Sequence, residues 1–264
     1  MNKKNKILLS FDVEEFDTPL DYQFPISEAD QFRLSAEGTT ALLDLLKEHQ
    51  VKATFFTTAN FALHQPALMQ RMLQEGHEVA SHGYYHTTFE EKDLLSSRVA
   101  LEELLQIPIK GYRMARMAKL SEKAVADAGY AYNSSLHPTY LPGRYNNFFK
   151  KRRYYLSEGI LQIPASVVPL VRFPLFWLAF KNFPLWFIQW ASKQTLYYDG
   201  YLNLYYHPWE FVDIRNYGLP SYVRRFSENN QLIERLSKYI VFLKKHGEFS
   251  TFQTFIEQLP LKQS

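Results

Sequence analysis

Glu78-Val79-Ala80-Ser81-His82-Gly83-Tyr84-Tyr85-His86 carries the strongest structural and chemical signal in this chain. Its first four residues read as a strand that leads straight into two histidines four residues apart, and imidazoles so spaced can reach one metal ion from one side. Upstream, Pro66 to Gln74 suits a helix begun by proline and stopped near Gly76. Before it, Lys52-Ala53-Thr54-Phe55-Phe56-Thr57 reads as a strand, preceded by a helix over Thr40 to His49 with Leu42, Leu43, Leu45 and Leu46 on its stripe. Downstream, Glu91 to Leu105 is a helix broken before Pro108, and Ile109-Lys110-Gly111-Tyr112 is a strand delivering Arg113. Ser121 to Ala128 is a capped helix closed by Gly129, and Tyr130-Ala131-Tyr132 delivers Asn133, Ser134 and Ser135. Strands alternating with helices from residue 36 to residue 133 mark an α/β chain built on a parallel sheet or barrel.

Near the start, Ile7-Leu8-Leu9-Ser10-Phe11-Asp12-Val13-Glu14 is an apolar strand ending in two acids, suited to a strand whose C-terminal end opens into a catalytic pocket. Side chains two apart share a strand face, so Glu14 can complete a two-histidine, one-carboxylate metal site while Asp12 stands beside it as a free base. Taken alone, a His pair at this spacing is more often coincidence, and acids after a strand are more often caps or solvated charges; the combination carries the reading. The chain has no cysteine, which excludes disulfides and thiolate sites and leaves His and carboxylate as ligands, with zinc the expected ion.

At 264 residues and 46% hydrophobic content the chain suffices for one large core, so one domain is expected over 1–264. A net charge of +3, with no glycine-rich phosphate loop, gives no support to a nucleic-acid partner. The start Met1-Asn2-Lys3-Lys4-Asn5-Lys6 is basic, but the apolar run behind it is short and reaches Asp12 without a small-residue cleavage site, so a cytoplasmic protein is expected. Residues 137–200 break the rhythm, with repeated prolines and a dense aromatic run from Phe173 to Trp190, and read as an insertion or elaborated loop region. Within it, Gly159 to Pro164 is strand-like and rejoins the barrel. Tyr201-Leu202-Asn203-Leu204-Tyr205-Tyr206 then presents His207, and Asn229 to Lys245 is a closing amphipathic helix. Val167 to Ala191 is a poor membrane span, yet with Lys150-Lys151-Arg152-Arg153 it suggests peripheral contact with a membrane surface; a lid folded over the barrel is the other reading.

Phe11-Asp12-Val13-Glu14, Thr54-Phe55-Phe56, Gly76 to His86, Gly111-Tyr112-Arg113, Tyr132 to Ser135 and His207-Pro208-Trp209-Glu210, in this order, resemble the polysaccharide deacetylase family over about residues 7 to 257. That family is also called the NodB-homology domain or carbohydrate esterase family 4. The resemblance implies a distorted (β/α) barrel of about seven strands and metal-dependent removal of acyl groups from sugars. It implies metal ligands Glu14, His82 and His86, a base Asp12 braced by Arg113, and a general acid His207. Val13 stands where the family's second aspartate usually does, so the ligand role passes to Glu14, a pattern similar to a branch with cytosolic or lipid-linked substrates. Met114-Ala115 replaces a common alanine-proline, and Asn133 replaces an aspartate expected to face the acid histidine. A backbone N–H near Arg116 is expected at the oxyanion, and Tyr84, Tyr85, Arg116, Asn133 and Trp209 are candidate substrate contacts. The expected substrate is an N- or O-acetylated sugar, free or lipid-linked, in assembly of a cell-surface polysaccharide. The alternatives are an amidohydrolase on a small non-sugar C–N bond and a glycan-binding barrel that has lost turnover.

Overall fold

The computed structural model describes residues 4–260; the basic start at Met1 to Lys3 lies outside them. Strand β1 (Lys6–Val13) is buried along nearly its whole length and pairs on both sides, as an apolar run of this kind requires. It is followed by β2 (Thr54–Thr57), β3 (Glu78–Ser81), β4 (Gly111–Tyr112) and β5 (Tyr132–Asn133), all parallel in sequence order. A hairpin, β6 (Tyr140–Leu141) with β7 (Tyr145–Asn146), stands apart from the sheet. Strand β8 (Tyr155–Ser157) pairs antiparallel with β9 (Ile160–Gln162), which is parallel to β5. Last come β10 (Tyr201–Tyr206), parallel to the full length of β1, and β11 (Glu248–Phe249), paired with its first residues. The sheet therefore runs β10-β1-β2-β3-β4-β5-β9-β8 and curls. The gap between β9 and β10 is tied by Ser166, whose N–H donates to the Asn203 carbonyl (3.0 Å) and whose hydroxyl accepts from the Asn203 N–H (2.8 Å). Seven parallel strands thus enclose a distorted barrel, as the sequence suggests.

The alternation of β1 separates two apolar layers. Ile7, Leu9, Phe11 and Val13 point outward into the core beneath the helices, whereas Leu8 points inward with Phe56, Ala80, Tyr132 and Ile163. The lower end of the interior is plugged by Phe252 and Phe255 from the C-terminal helix α10 (Phe252–Glu257); a fully buried ring of this kind stabilises the fold by about 2 kcal/mol. Ser10 and Asp12 follow Leu8 on the inner face, so the polar end of the barrel is its C-terminal mouth.

Helix α1 (Glu28–Glu48) begins twelve residues earlier than its leucine stripe alone predicts, because Ser27 caps it by accepting from the Asp30 N–H (3.1 Å) and Phe32 and Leu34 are buried. Then come α2 (Ala59–His64), α3 (Pro66–Gln74), α4 (Asp93–Leu105) and α5 (Glu122–Asp127), the last capped by Ser121. The region over 137–200 corrects the expectation of an elaborated loop. Besides the hairpin it holds α6 (Trp177–Asn182) and α7 (Leu185–Asp199), which is the crossover helix into β10. Pro184 separates the two helices rather than breaking one, standing immediately before α7. Short α8 (Ser221–Arg224) and α9 (Gln231–Lys244) complete the outer layer, and α10 closes the lower end.

Candidate active site

Four strand ends deliver the polar groups at the mouth: β1 carries Asp12 and leads to Glu14, β3 leads to His82, β4 to Arg113, and β10 to His207. The turn after His82 is made by Gly83 (φ +92), a conformation that L side chains avoid, and it brings His86 back over the strand end. One oxygen of Glu14, Oε2, lies 3.2 Å from His82 Nε2 and 3.1 Å from His86 Nε2. All three side chains are buried, and the two imidazole rings lie nearly parallel with centroids 6.0 Å apart. His82 Nδ1–H donates to the Arg113 carbonyl (2.9 Å), and His86 Nδ1–H donates to Asp17 Oδ1 (2.7 Å). Each ring therefore has one nitrogen committed outward and presents the other to the shared centre. With ligand atoms all within 4.8 Å of one another, this donor set fits a divalent metal ion. Burial by itself would raise the Glu14 carboxyl, but the imidazoles of His86, His207 and His82 outweigh it and hold the group well below the usual carboxylate range.

Asp12 stands beside this centre. Its Oδ1 accepts from Arg113 Nη1 at 2.6 Å, and Arg113 is wholly buried in the barrel, donating also to Ser10 Oγ (2.9 Å) and Ser134 Oγ (3.1 Å) and lying 3.9 Å over the Phe56 ring. A guanidinium fixed from so many sides fixes the carboxylate in turn. Across the cavity, His207 stacks on Trp209 and meets Trp177 edge-on. Its Nδ1–H donates to Glu210 Oε1 (2.9 Å), which also accepts the His207 main-chain N–H (2.7 Å). Burial pulls this imidazole down, and the carboxylates of Glu14, Glu210 and Asp12 more than offset it, so its affinity for a proton is raised. The open space among these groups is a cavity of about 530 Å³ lined by Asp12, Glu14, His86, Trp177, His207 and Trp209.

The structure assigns other positions to several candidates. Trp209 does line the cavity, but its indole N–H is spent on Glu14 Oε1 (3.1 Å), so it orients the carboxylate. Arg116 also lines it, in a turn where Arg116 and Met117 both have positive φ, and its guanidinium pairs with Asp17 (3.3 Å) and Asp21 (2.5 Å). Tyr84 and Tyr85 do not line the cavity. The chain leaving Gly83 is drawn over the start of α2, where the Gly83 and Tyr84 carbonyls accept from Ala59 and Asn60, so Tyr84 packs on the core and Tyr85 faces solvent. Asn133 is likewise elsewhere: it donates to Gln162 Oε1 (3.0 Å) and accepts from Ser135, and the negative neighbour of His207 is Glu210. The Met114-Ala115 departure leaves the loop anchored, with Met114 N–H on Ser135 Oγ (2.8 Å) and Met114 Sδ accepting from Tyr112 OH (3.2 Å).

Asp17, Glu210 and Lys181 hold places at the site that no motif in the sequence assigns to them. The capping spacing His207-Pro208-Trp209-Glu210 was the available signal for Glu210. Nothing local marks Asp17 among the acids that follow β1, and Lys181 lies in the aromatic run; its buried ammonium sits 3.0 Å from Glu210 Oε2 while its aligned hydrogen bond goes to the Val223 carbonyl (2.7 Å).

The sequence profile described as polysaccharide deacetylase matches residues 2–132, a stretch holding Asp12, Glu14, His82, His86 and Arg113 but not His207. The peptidoglycan-N-acetylglucosamine deacetylase PgdA of Listeria monocytogenes is 46% identical over 52 residues, 20% of this chain and 11% of that protein. A chitooligosaccharide deacetylase of Bradyrhizobium is 48% identical over 48 residues, 18% of this chain and 22% of that protein. The matched stretches span less than a quarter of the length of these relatives. A Mycobacterium smegmatis structure bearing the polysaccharide deacetylase name superposes with a TM-score of 0.67 at 20% identity, covering 97% of this chain and 90% of that one, a likeness of fold.

Proposed function

This chain belongs to the polysaccharide deacetylase family, and from that premise we propose that it removes an N- or O-acetyl group from a sugar or glycan intermediate with the help of a divalent metal ion, zinc by donor chemistry, in the assembly of a cell-surface polysaccharide. The observation that carries the reading is the convergence of both imidazole Nε2 atoms on one Glu14 oxygen, with Asp12 on one side and His207 on the other. When bound, the ion supplies Lewis acidity toward the acyl carbonyl and acidifies a water molecule. Asp12, held in place by Arg113, takes the proton from the attacking water. The backbone of the Arg116 turn is the expected donor to the oxyanion. An amine leaves only with a proton, and His207, oriented by Glu210, gives it from Nε2. The names of the curated relatives support a carbohydrate substrate, and the aromatic walls Trp177 and Phe176 suit the apolar face of a sugar ring.

Acetate release from a panel of N- and O-acetylated sugars by zinc-loaded protein, with elemental analysis for one ion per chain, tests the proposal. Asp12→Asn should lower turnover by at least about a hundredfold and leave zinc content unchanged. Loss of both together would show that Asp12 had been given the wrong task; no acetate from any sugar would overturn the activity.

A further inference from the structure

The segment between β7 and β10 carries the most exposed large apolar side chains of the described residues: Phe149 is 93% exposed, Leu170 90%, Trp186 69% and Val171 67%. Leu170 stands at the tip of a tight turn, closed by Val168 N–H on the Phe173 carbonyl (2.8 Å) and Arg172 N–H on the Val168 carbonyl (2.9 Å). Its φ of 66° belongs to the region that favours glycine or asparagine. A leucine held there, pointing into solvent, stabilises neither the turn nor the core.

Contacts join these tips into one surface. On one side, Arg172 donates to the Lys150 carbonyl (3.1 Å) and lies over the Phe148 ring, which touches Phe149. On the other, Phe173 packs on Phe183 and Phe187, and Phe187 on Trp186 and Trp190. Helix α7 turns Ile188, Ala191, Ser192 and Thr195 inward, leaving Trp186, Trp190, Lys193 and Tyr197 exposed along a single helical stripe. Arg152 pairs with Asp199 at the end of that helix, which ties the basic run to the aromatic stripe and removes Arg152 from the exposed charges. Lys150, Lys151, Arg153 and Lys193 remain exposed, while Glu158, the exposed acid of the same segment, lies toward Lys123. The surface adjoins the catalytic mouth: Thr139 Oγ1 donates to the Arg172 carbonyl (2.7 Å), and the hairpin that follows Thr139 lines the cavity with Leu141, Arg144 and Tyr145.

We propose that this surface docks on a bilayer containing anionic lipid. Phe149, Leu170, Val171 and the tryptophans would enter the boundary between headgroups and acyl chains, while Lys150, Lys151, Arg153 and Lys193 meet lipid phosphates. Protruding apolar tips ringed by cations suit a fluid anionic surface, which needs no complementary pocket; a protein partner would have to supply one. No helix of the described residues is long and apolar enough to cross a membrane, so the contact is peripheral. Docking stands apart from the activity proposed above; only its consequence, that the acylated sugar is met on a lipid anchor at the bilayer, rests on that reading.

The test is flotation of the intact protein with phosphatidylcholine vesicles, with and without phosphatidylglycerol, alongside tryptophan emission. Three sets of substitutions are compared: Leu170→Ser with Val171→Ser, Trp186→Ser with Trp190→Ser, and Lys150→Gln with Lys151→Gln and Arg153→Gln. Circular dichroism and turnover of a soluble acetylated sugar report that each set folds. The expected result is flotation only with phosphatidylglycerol, a blue-shifted emission, and a partition coefficient at least about tenfold lower for each set. Absence of flotation, or flotation untouched by all three sets, overturns the proposal. So does a dimer in light scattering that the Leu170 and Trp186 sets make monomeric, since a second copy would then be the occupant. Flotation without turnover of any acetylated sugar would overturn the deacetylase reading and leave docking intact.

Discussion

Replacing Glu210 by Gln separates the stability of the mouth from its chemistry. The wild-type carboxylate is fully buried, with one oxygen serving both His207 N–H groups (2.7 and 2.9 Å) and the other 3.0 Å from the equally buried Lys181 ammonium. Glutamine keeps the shape and removes the charge. Stranding a buried ammonium costs about 3–5 kcal/mol. The retained hydrogen bond to the Val223 carbonyl, and the burial that already pulls the Lys181 pKa down, place the cost at the low end. Against a total of about 5–15 kcal/mol the variant still folds, with a Tm lower by roughly 6–12 °C. The chemical effect has its own sign. His207 is raised by neighbouring carboxylates against its burial, so losing the Glu210 charge lowers its pKa and the protonated acid runs out at lower pH. The alkaline limb of kcat/KM for acetate release should shift to lower pH, and the rate beyond it should fall by up to about the 10²–10⁴ that a general acid contributes. The double variant Lys181→Met, Glu210→Gln removes both charges of this pair and should recover most of the Tm while keeping the shifted limb. A limb that stays in place in both variants while only Tm falls would refute the assignment of Glu210 as the group that positions and charges His207.

Three further outcomes are expected. Asp17→Asn should weaken zinc affinity about 10–100-fold in competition with a chromophoric chelator, because Asp17 fixes the His86 ring through Nδ1; unchanged affinity would mean the ring is held by packing alone. Gly38→Ala, which in an ordinary helix stabilises by about 1 kcal/mol, should here lower both Tm and kcat. The added Cβ would lie 2.0 Å from the Pro208 carbonyl, one residue from His207, and a raised Tm would show that α1 gives way freely. Burial pushes His77 down to about 4 and His137 to about 3, whereas the unfolded chain takes up these protons near 6.5. The unfolded state therefore takes up more of these two protons between those limits, so the contribution of His77 and His137 to Tm is constant above about pH 6.5 and declines as pH falls toward 4. His137→Gln should flatten that decline, and an equally steep one would assign it to other groups.

Elements that depend on local signals were legible in the chain itself. The helix Pro66–Gln74 and the strands Glu78–Ser81 and Tyr201–Tyr206 have the bounds expected from a leading proline, a stopping glycine and an apolar run. The short strands at Gly111 and Tyr132 were placed in order but not in extent, since two residues hold too little pattern to bound a strand. The aromatic run after Phe173 hid two helices, because an all-round apolar stretch has no polar face from which to read a helical period.

The set of donors and their order are already present in the chain: acids at the end of the first strand, a histidine pair at the third, an arginine, and a late histidine. The acids and the histidine pair follow from strand alternation and short spacing, which act over a few residues, whereas the arginine and the late histidine are marked by the family resemblance. Which group orients which depends on long-range contacts. Arg113 reaches Asp12 across 101 positions, Trp209 reaches Glu14 across 195, and Asp17 reaches His86 across 69. The direction of a side chain at a strand end is set by whichever buried partner can satisfy its polar atoms, and that partner is chosen by the closure of the barrel.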